Sequence, residues 1–393
     1  MNDIKINRTN NAAGVAIYRS WSRTFNPLRA LVPLVAALLL AGCATSTAID
    51  PARLPSAPAA FKEAGPSSVL PLATVAPAAS PSQGNWWTVF ADPVLDQLIE
   101  RAGSNNNSVQ VAAGRLAQAR AIARQTDANR APLLDLGGGV SRGTDANAGN
   151  RPSTVVSVGA NLSYEVDLFG KLAGASNAAS LDAASREALL RSTRLLVQAD
   201  VAQTYLNLRA LDTERVLVKD TLQAYRNTLR LTEVRFREGD VAELDVARVR
   251  TEVASTESEA LALDRRRAEL EHALAVLVGA AASDFAVAPV EWVTALPVIP
   301  AGVPSTVLVR RPDISAAQSS MQAAQARVGV AETAWFPSFS LTASGGYAAP
   351  ELGDLFKLST RAWGIGALLS LPIFDGGRRE AGVQGANAEL DIA

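Results

Sequence analysis

The chain has 393 residues, 48% of them hydrophobic and only 5% aromatic, with a formal net charge of −1. That near-neutral balance predicts neither a nucleic-acid binder nor a surface built for acidic partners. With one His and one Cys in the whole chain, His/Cys metal clusters, His-based triads and disulfide frameworks are excluded.

Residues 1–42 read as a signal peptide. Arg8, Arg19, Arg23 and Arg29 form a basic start with no acidic residue after Asp3, and residues 30–40 are apolar apart from Pro33. The run is too short to span a bilayer stably. It ends in Leu40-Ala41-Gly42-Cys43, which resembles the bacterial lipobox. That resemblance implies cleavage after Gly42 and diacylglycerylation of the Cys43 sulfur, with acyl chains strong enough to anchor the chain. Ala44, rather than Asp, then favours the outer membrane. Residues 43–84 are rich in Pro, Ala and Ser and read as an extended tether.

Asp92 before Pro93 predicts a helix start, with a capping carboxylate followed by Pro at the first helical position. A turn is expected at Asn105-Asn106-Asn107-Ser108, then a helix from about Val109 to Asn129. Two strands follow. In the second, Val156, Val158, Ala160, Leu162, Tyr164 and Val166 alternate with Ser157, Gly159, Asn161, Ser163 and Glu165. This is a period of two, with one apolar and one small or polar face. From Lys171 to about Arg237 there is no Pro and one Gly, so one rod of ~100 Å is expected, too long for a compact domain and suited to a coiled coil. It stops at Gly239. Asp240 with Glu243 resembles a capping box for a helix returning to about Val278. Glu257, Glu259, Asp264, Arg265, Arg266 and Arg267 read as its solvated charged face. Residues 279–311, with four prolines, read as a connection. A helix from Pro312 to near Trp335 and two more strands complete the chain's pattern.

The chain is internally duplicated. Pro132 and Phe169 are matched by Pro337 and Phe374, each 205 residues on. The alternation keeps its phase across the copies: Trp363, Ile365, Ala367, Leu369, Leu371 and Ile373 share one face. Four strands of about ten residues have the length of tilted bilayer-crossing strands. Their Ser, Asn, Gly and Thr face suits a watery lumen. Trp335, Phe336, Tyr347 and Trp363 fall near strand ends, where an interfacial girdle belongs. Segments 143–152 and 348–360 would be the outer loops. The repeat puts a second hairpin tip near residue 444, so the second copy is expected to be cut short by roughly 90 residues.

Several stretches together resemble the TolC-type outer-membrane efflux factors, in their NodT-like lipoprotein branch: Trp86-Trp87, Phe90-Ala-Asp-Pro93, Asn161-Leu-Ser-Tyr-Glu-Val-Asp-Leu-Phe-Gly-Lys171, Arg310-Arg-Pro-Asp-Ile314 and Phe336-Pro-Ser-Phe-Ser-Leu341. The resemblance implies a mainly α fold with a β-barrel part, built as a duplicated strand–strand–helical-hairpin repeat. Residues 85–278 would be the first repeat and 312–393 the truncated second. Three chains would close a twelve-stranded barrel in the cell outer membrane, with coiled-coil helices reaching into the periplasm. Ser157, Asn161, Ser163 and Glu165 would line the lumen, and Val156, Val158, Leu162 and Tyr164 would face lipid. The hairpin tip (Arg235, Gly239, Asp240, Val241, Ala242, Leu244 and Asp245) would meet a periplasmic adaptor serving an inner-membrane pump of the resistance–nodulation–division type. Passive conduction needs no catalytic residue, cofactor or metal. The competing readings are a non-conducting fragment or structural envelope lipoprotein, a type I secretion component, and an envelope enzyme. The last would have to use His272, the sole His.

Overall fold

The computed structural model describes residues 85–144, 152–290, 308 and 310–393. The signal peptide, Cys43, the tether, most of the outer segment 143–152 and most of the connection 279–311 lie outside the described residues.

A 3-10 turn, Trp86–Phe90, leads into α1 (Pro93–Asn105) and α2 (Asn107–Ala128). The strands β1 (Leu133–Thr144) and β2 (Pro152–Val166) follow. Next come the 67-residue α3 (Lys171–Arg237) and the returning α4 (Glu243–Leu277). After the connection come α5 (Pro312–Glu332), β3 (Ser338–Ala349), β4 (Arg361–Ser370) and α6 (Arg378–Ile392). The expected rod is therefore one continuous helix with the anticipated ends. α3 packs along α2, α4 and α5. Among the described residues no helix is long and apolar enough to cross a membrane.

The helix ends show why the chain breaks where it does. Asp92 Oδ1 accepts from the backbone N–H groups of Val94 and Leu95, at 2.9 and 3.2 Å, as its place before Pro93 requires. Only Asn106, not the whole Asn run, separates α1 from α2. Its Oδ1 caps Ser108 and Val109, while its Nδ2 donates to the Leu277 carbonyl at 2.9 Å. One side chain thus satisfies orphan groups at two helix ends. α4 closes with Gly279 at φ +69. There Gly279 N–H bonds the Val276 carbonyl and Ala280 N–H the Ala275 carbonyl, the paired pattern of a Schellman end.

An apolar core joins α1 and α2 to the middle of α3 and the end of α4, through Leu95, Ile99, Val201, Tyr205, Leu208, Leu274 and Val278. Phe285 and Val287 of the connection are buried in the same core. An ionic cluster lies beside it. Arg209 is 3% exposed and Asp212 4%. Arg267 Nε donates to Asp212 Oδ1 at 2.7 Å and its Nη1 to Glu271 Oε2 at 3.0 Å. The cluster also straps the connection down. Arg267 Nη2 and Arg209 Nη1 donate to the carbonyls of Val287 and Ala288 at 2.5 and 2.8 Å, and Val287 N–H donates to Glu271.

This corrects the reading of the charge run as one solvated face. Arg267 points inward because Asp212 and Glu271 are there to receive it, and Asp264 pairs with Arg215 of α3. Arg215 holds the Asp264 carboxyl below its usual range, chiefly through that hydrogen bond. Only Glu257, Glu259, Arg265 and Arg266 remain as an exposed surface.

Two predictions follow from these contacts. A Cβ on Gly279 would sit 2.5 Å from the Asn105 carbonyl oxygen, in a left-handed backbone. Gly279→Ala should therefore cost about 1–3 kcal/mol, read as a lowered urea midpoint. Tyr205 donates to Asp92 at 2.7 Å and is capped by Arg209 Nε at 2.9 Å. Burial, then the hydrogen bond to Asp92, pushes its phenol up to about 12. The stability from that raised pKa is full below the unfolded value of about 10 and is lost as pH climbs toward the folded value. Between about pH 9.5 and 11.5 the wild-type urea midpoint should thus fall more steeply than that of Tyr205→Phe.

Candidate functional site: a two-faced sheet and a helical tip

The four strands form one antiparallel sheet in the order β1-β2-β3-β4. β1 and β4 each keep one unpaired edge among the described residues. The register decides which residues share a face. Leu136 faces Ala160, Ala160 faces Gly345 and Gly345 faces Trp363. Because neighbours in a row share a side, one face collects Leu134, Leu136, Val140, Val156, Val158, Leu162, Tyr164, Phe339, Leu341, Tyr347, Trp363, Ile365 and Leu369. The phase carried between the two copies is the phase of the sheet. In the single chain this apolar face is open: Leu136 is 82% exposed, Ile365 81% and Trp363 71%.

The opposite face carries Ser157, Asn161, Ser163 and Glu165, together with Ser338, Ser340, Thr342 and Ser344 of β3. The β3 residues were not singled out from sequence, although the same alternation marks them. Leu133, Val155 and Leu368 break the pattern on this side. At its helix-proximal end Glu165 accepts from Lys171 Nζ at 2.9 Å. Glycines hold the centre, where Gly137, Gly159 and Gly346 lie in one row. A Cβ on Gly346 would come within 2.3 Å of the Val158 carbonyl oxygen, whereas one on Gly345, across the sheet, would meet nothing within 4 Å. At this row the polar face is the crowded one, and glycine is what lets the backbones approach there.

Aromatic rings cluster at both ends of the sheet. At the helix end Phe169 stacks on Phe336 with centroids 4.8 Å apart, and Arg379 lies over Trp335 at 4.6 Å. At the loop end Tyr347 meets Phe356 edge-on at 5.6 Å. The apolar face between them has the makeup of a lipid-facing band.

At the far end of the hairpin, Gly239 has φ +80. Gly239 N–H bonds the Phe236 carbonyl at 3.0 Å and Asp240 N–H the Arg235 carbonyl at 2.9 Å, a second Schellman end. The expected pairing of Asp240 with Glu243 as a capping box is not what forms. Asp240 instead takes Arg235 Nε at 2.8 Å, and Asp245 caps the return helix by accepting from Ala242 N–H at 3.2 Å. The reason is register: α4 begins at Glu243, so Val241 and Ala242 belong to the turn and the third helical residue is Asp245. Leu244 projects into solvent at the tip, as does Phe236 nearby. The tip residues named from sequence are thus brought together. Among the described residues no group of three or more His, Cys, Asp or Glu could hold a metal, and His272 is exposed on α4.

The profile of the family described as outer membrane efflux protein matches residues 98–280 and 303–393. The solvent efflux pump outer membrane protein SrpC of Pseudomonas putida is 32% identical over 373 residues, covering 92% of this chain and 77% of that protein. The cation efflux system protein CusC of Escherichia coli is 30% identical over 364 residues, covering 92% and 77%. Among solved structures, a membrane protein from Pseudomonas aeruginosa superposes with a TM-score of 0.73 at 32% identity, over 78% of this chain and 72% of that one.

The glycine row yields a direct test. Gly346→Ala should prevent the close approach of β2 and β3, and detergent-solubilised protein should lose strand signal in circular dichroism at a lower temperature than Gly345→Ala.

Proposed function

Because the chain belongs to the outer membrane efflux protein family, we propose that it forms the outer-membrane exit duct of a tripartite efflux system. The family is one of outer-membrane channels, not of enzymes. The observation that carries the reading is the two-faced sheet, whose two edges are open among the described residues. Lipid tolerates no unpaired backbone, so such a sheet can sit in a bilayer only when closed on itself. Three copies, β4 of one against β1 of the next, would give a twelve-stranded barrel. The apolar face would meet lipid and the Ser/Thr/Asn/Gly face would line the water path.

The helices would extend this duct through the periplasm. The exposed tip (Arg235, Gly239, Asp240, Val241, Ala242, Leu244 and Asp245) is suited to meeting an adaptor, because its backbone is fixed by two hydrogen bonds while Leu244 stays free. The adaptor would join it to an inner-membrane pump of the resistance–nodulation–division type, which supplies the energy. Cys43, in its lipobox, would add an acyl anchor at the inner surface of the same membrane. Transport through the duct is diffusion through water, so it requires shape and polarity rather than reactive groups.

The test contrasts the two faces. Val158→Arg or Leu162→Arg places a charge toward lipid at a cost of about 2–4 kcal/mol near the midplane. Either should abolish the heat-stable trimer on gels and conductance in planar bilayers. Ser157→Arg should leave the trimer intact and change single-channel conductance. Equal tolerance of charge on the two faces would refute the lumen and lipid assignment.

A further inference from the structure

Below the sheet the helical wall contains a cleft of about 540 Å³ that the conduit reading leaves unused, lying over α3 between α2 and α5. Arg115 of α2, Arg186 of α3 and Arg327 of α5 all line it. Arg327 is paired with Asp182, the one carboxylate in the lining. Arg115 and Arg186 have no ion-pair partner among the described residues. Three guanidinium groups against one carboxylate leave the cleft with two positive charges in excess. Ile122 and Leu189 give it an apolar flank, each partly open to solvent. Its lining residues come from three helices, α2, α3 and α5.

Its side of the wall can be read from α3. A helix turns about 100° per residue, which puts Asp182 and Leu189 within about 20° of Lys171 and Arg186 within about 60°. Lys171 bonds Glu165 on the polar face of the sheet. Ala173 lies about 200° away from Lys171 and borders a hollow shared with Tyr164 of the apolar face. The arginine cleft therefore lies on the side that continues the polar face.

We propose that this cleft binds small organic anions, a carboxylate or phosphate group on an apolar body, at the inner wall of the duct just below the barrel. Its place in the lumen rests on the conduit reading; its chemistry does not. Guanidinium forks match carboxylate and phosphate oxygens in pairs, and Ile122 and Leu189 supply a surface for the attached carbon skeleton. Because the cleft is open, the attraction should weaken with salt.

The probe is phenyl phosphate, titrated by calorimetry into the full chain in detergent at low salt. Saturable binding is expected. Arg115→Gln and Arg186→Gln should each weaken it tenfold or more, Arg186→Lys less so, and Arg191→Gln, on the opposite side of α3, should leave it unchanged. Matching thermal melts across the variants separate lost binding from lost folding. In reconstituted channels, phenyl phosphate should reduce the single-channel current of wild type but not of Arg186→Gln. No saturable binding, or binding equal in all variants, overturns the anion site. Binding without any conductance upholds the site and removes the conduit reading; conductance without binding removes the site alone.

Discussion

The constraint on which everything else depends is the open edge. Among the described residues, four antiparallel strands leave two rows of backbone donors and acceptors unpaired, on β1 and β4, beside a face as apolar as Leu136, Ile365 and Trp363 can make it. Water could satisfy the edges but not the face; lipid could satisfy the face but not the edges. Both demands would be met if strands from further copies completed the ladder, as in the proposed barrel. The glycine row at Gly137, Gly159 and Gly346 would suit such a closure, because it lets the backbones of β2 and β3 approach closely.

The helical body solves a different problem. A 67-residue helix cannot be held by a single core, and its middle is fixed by two kinds of contact at once. Apolar residues pack α1, α2 and α4 against it, and a buried charge cluster clasps the connection. Taking Arg209, Asp212 and Arg267 out of water is costly, and only mutual pairing plus backbone carbonyls offsets it. The return is geometric. The strap at Phe285 and Val287 is tied to a defined height on the rod, while Asn106 links the start of α2 to the end of α4.

Much of this was legible in the sequence, and the reasons are local. The rod from Lys171 to Arg237 is bounded by glycines and contains no proline. The strands show a two-residue period broken at only a few positions, and the repeat ties their phases together. Asp92 before Pro93 is a start signal that tertiary context does not override. What failed was chemistry that depends on a partner. Arg267 sits in a run of charges that looks solvated until Asp212, far off in the chain, is brought beside it. Asp240 and Asp245 have the same composition and nearly the same place, so only the position of the first helical residue decides which of them caps the return helix.

The sequence by itself determined the elements, their order, the two faces of every strand and the turn at Gly239, because these follow from side-chain periodicity and from what glycine and proline permit locally. Only the tertiary structure decided which residues stand beside one another across long separations. It set the strand register that unites the four apolar faces into one, the inward turn of Arg267 and the meeting of Arg115, Arg186 and Arg327 around one cleft. The last two rest on the packing of α2, α4 and α5 against a single long helix, and no local pattern encodes the angle at which two helices present their charges to each other.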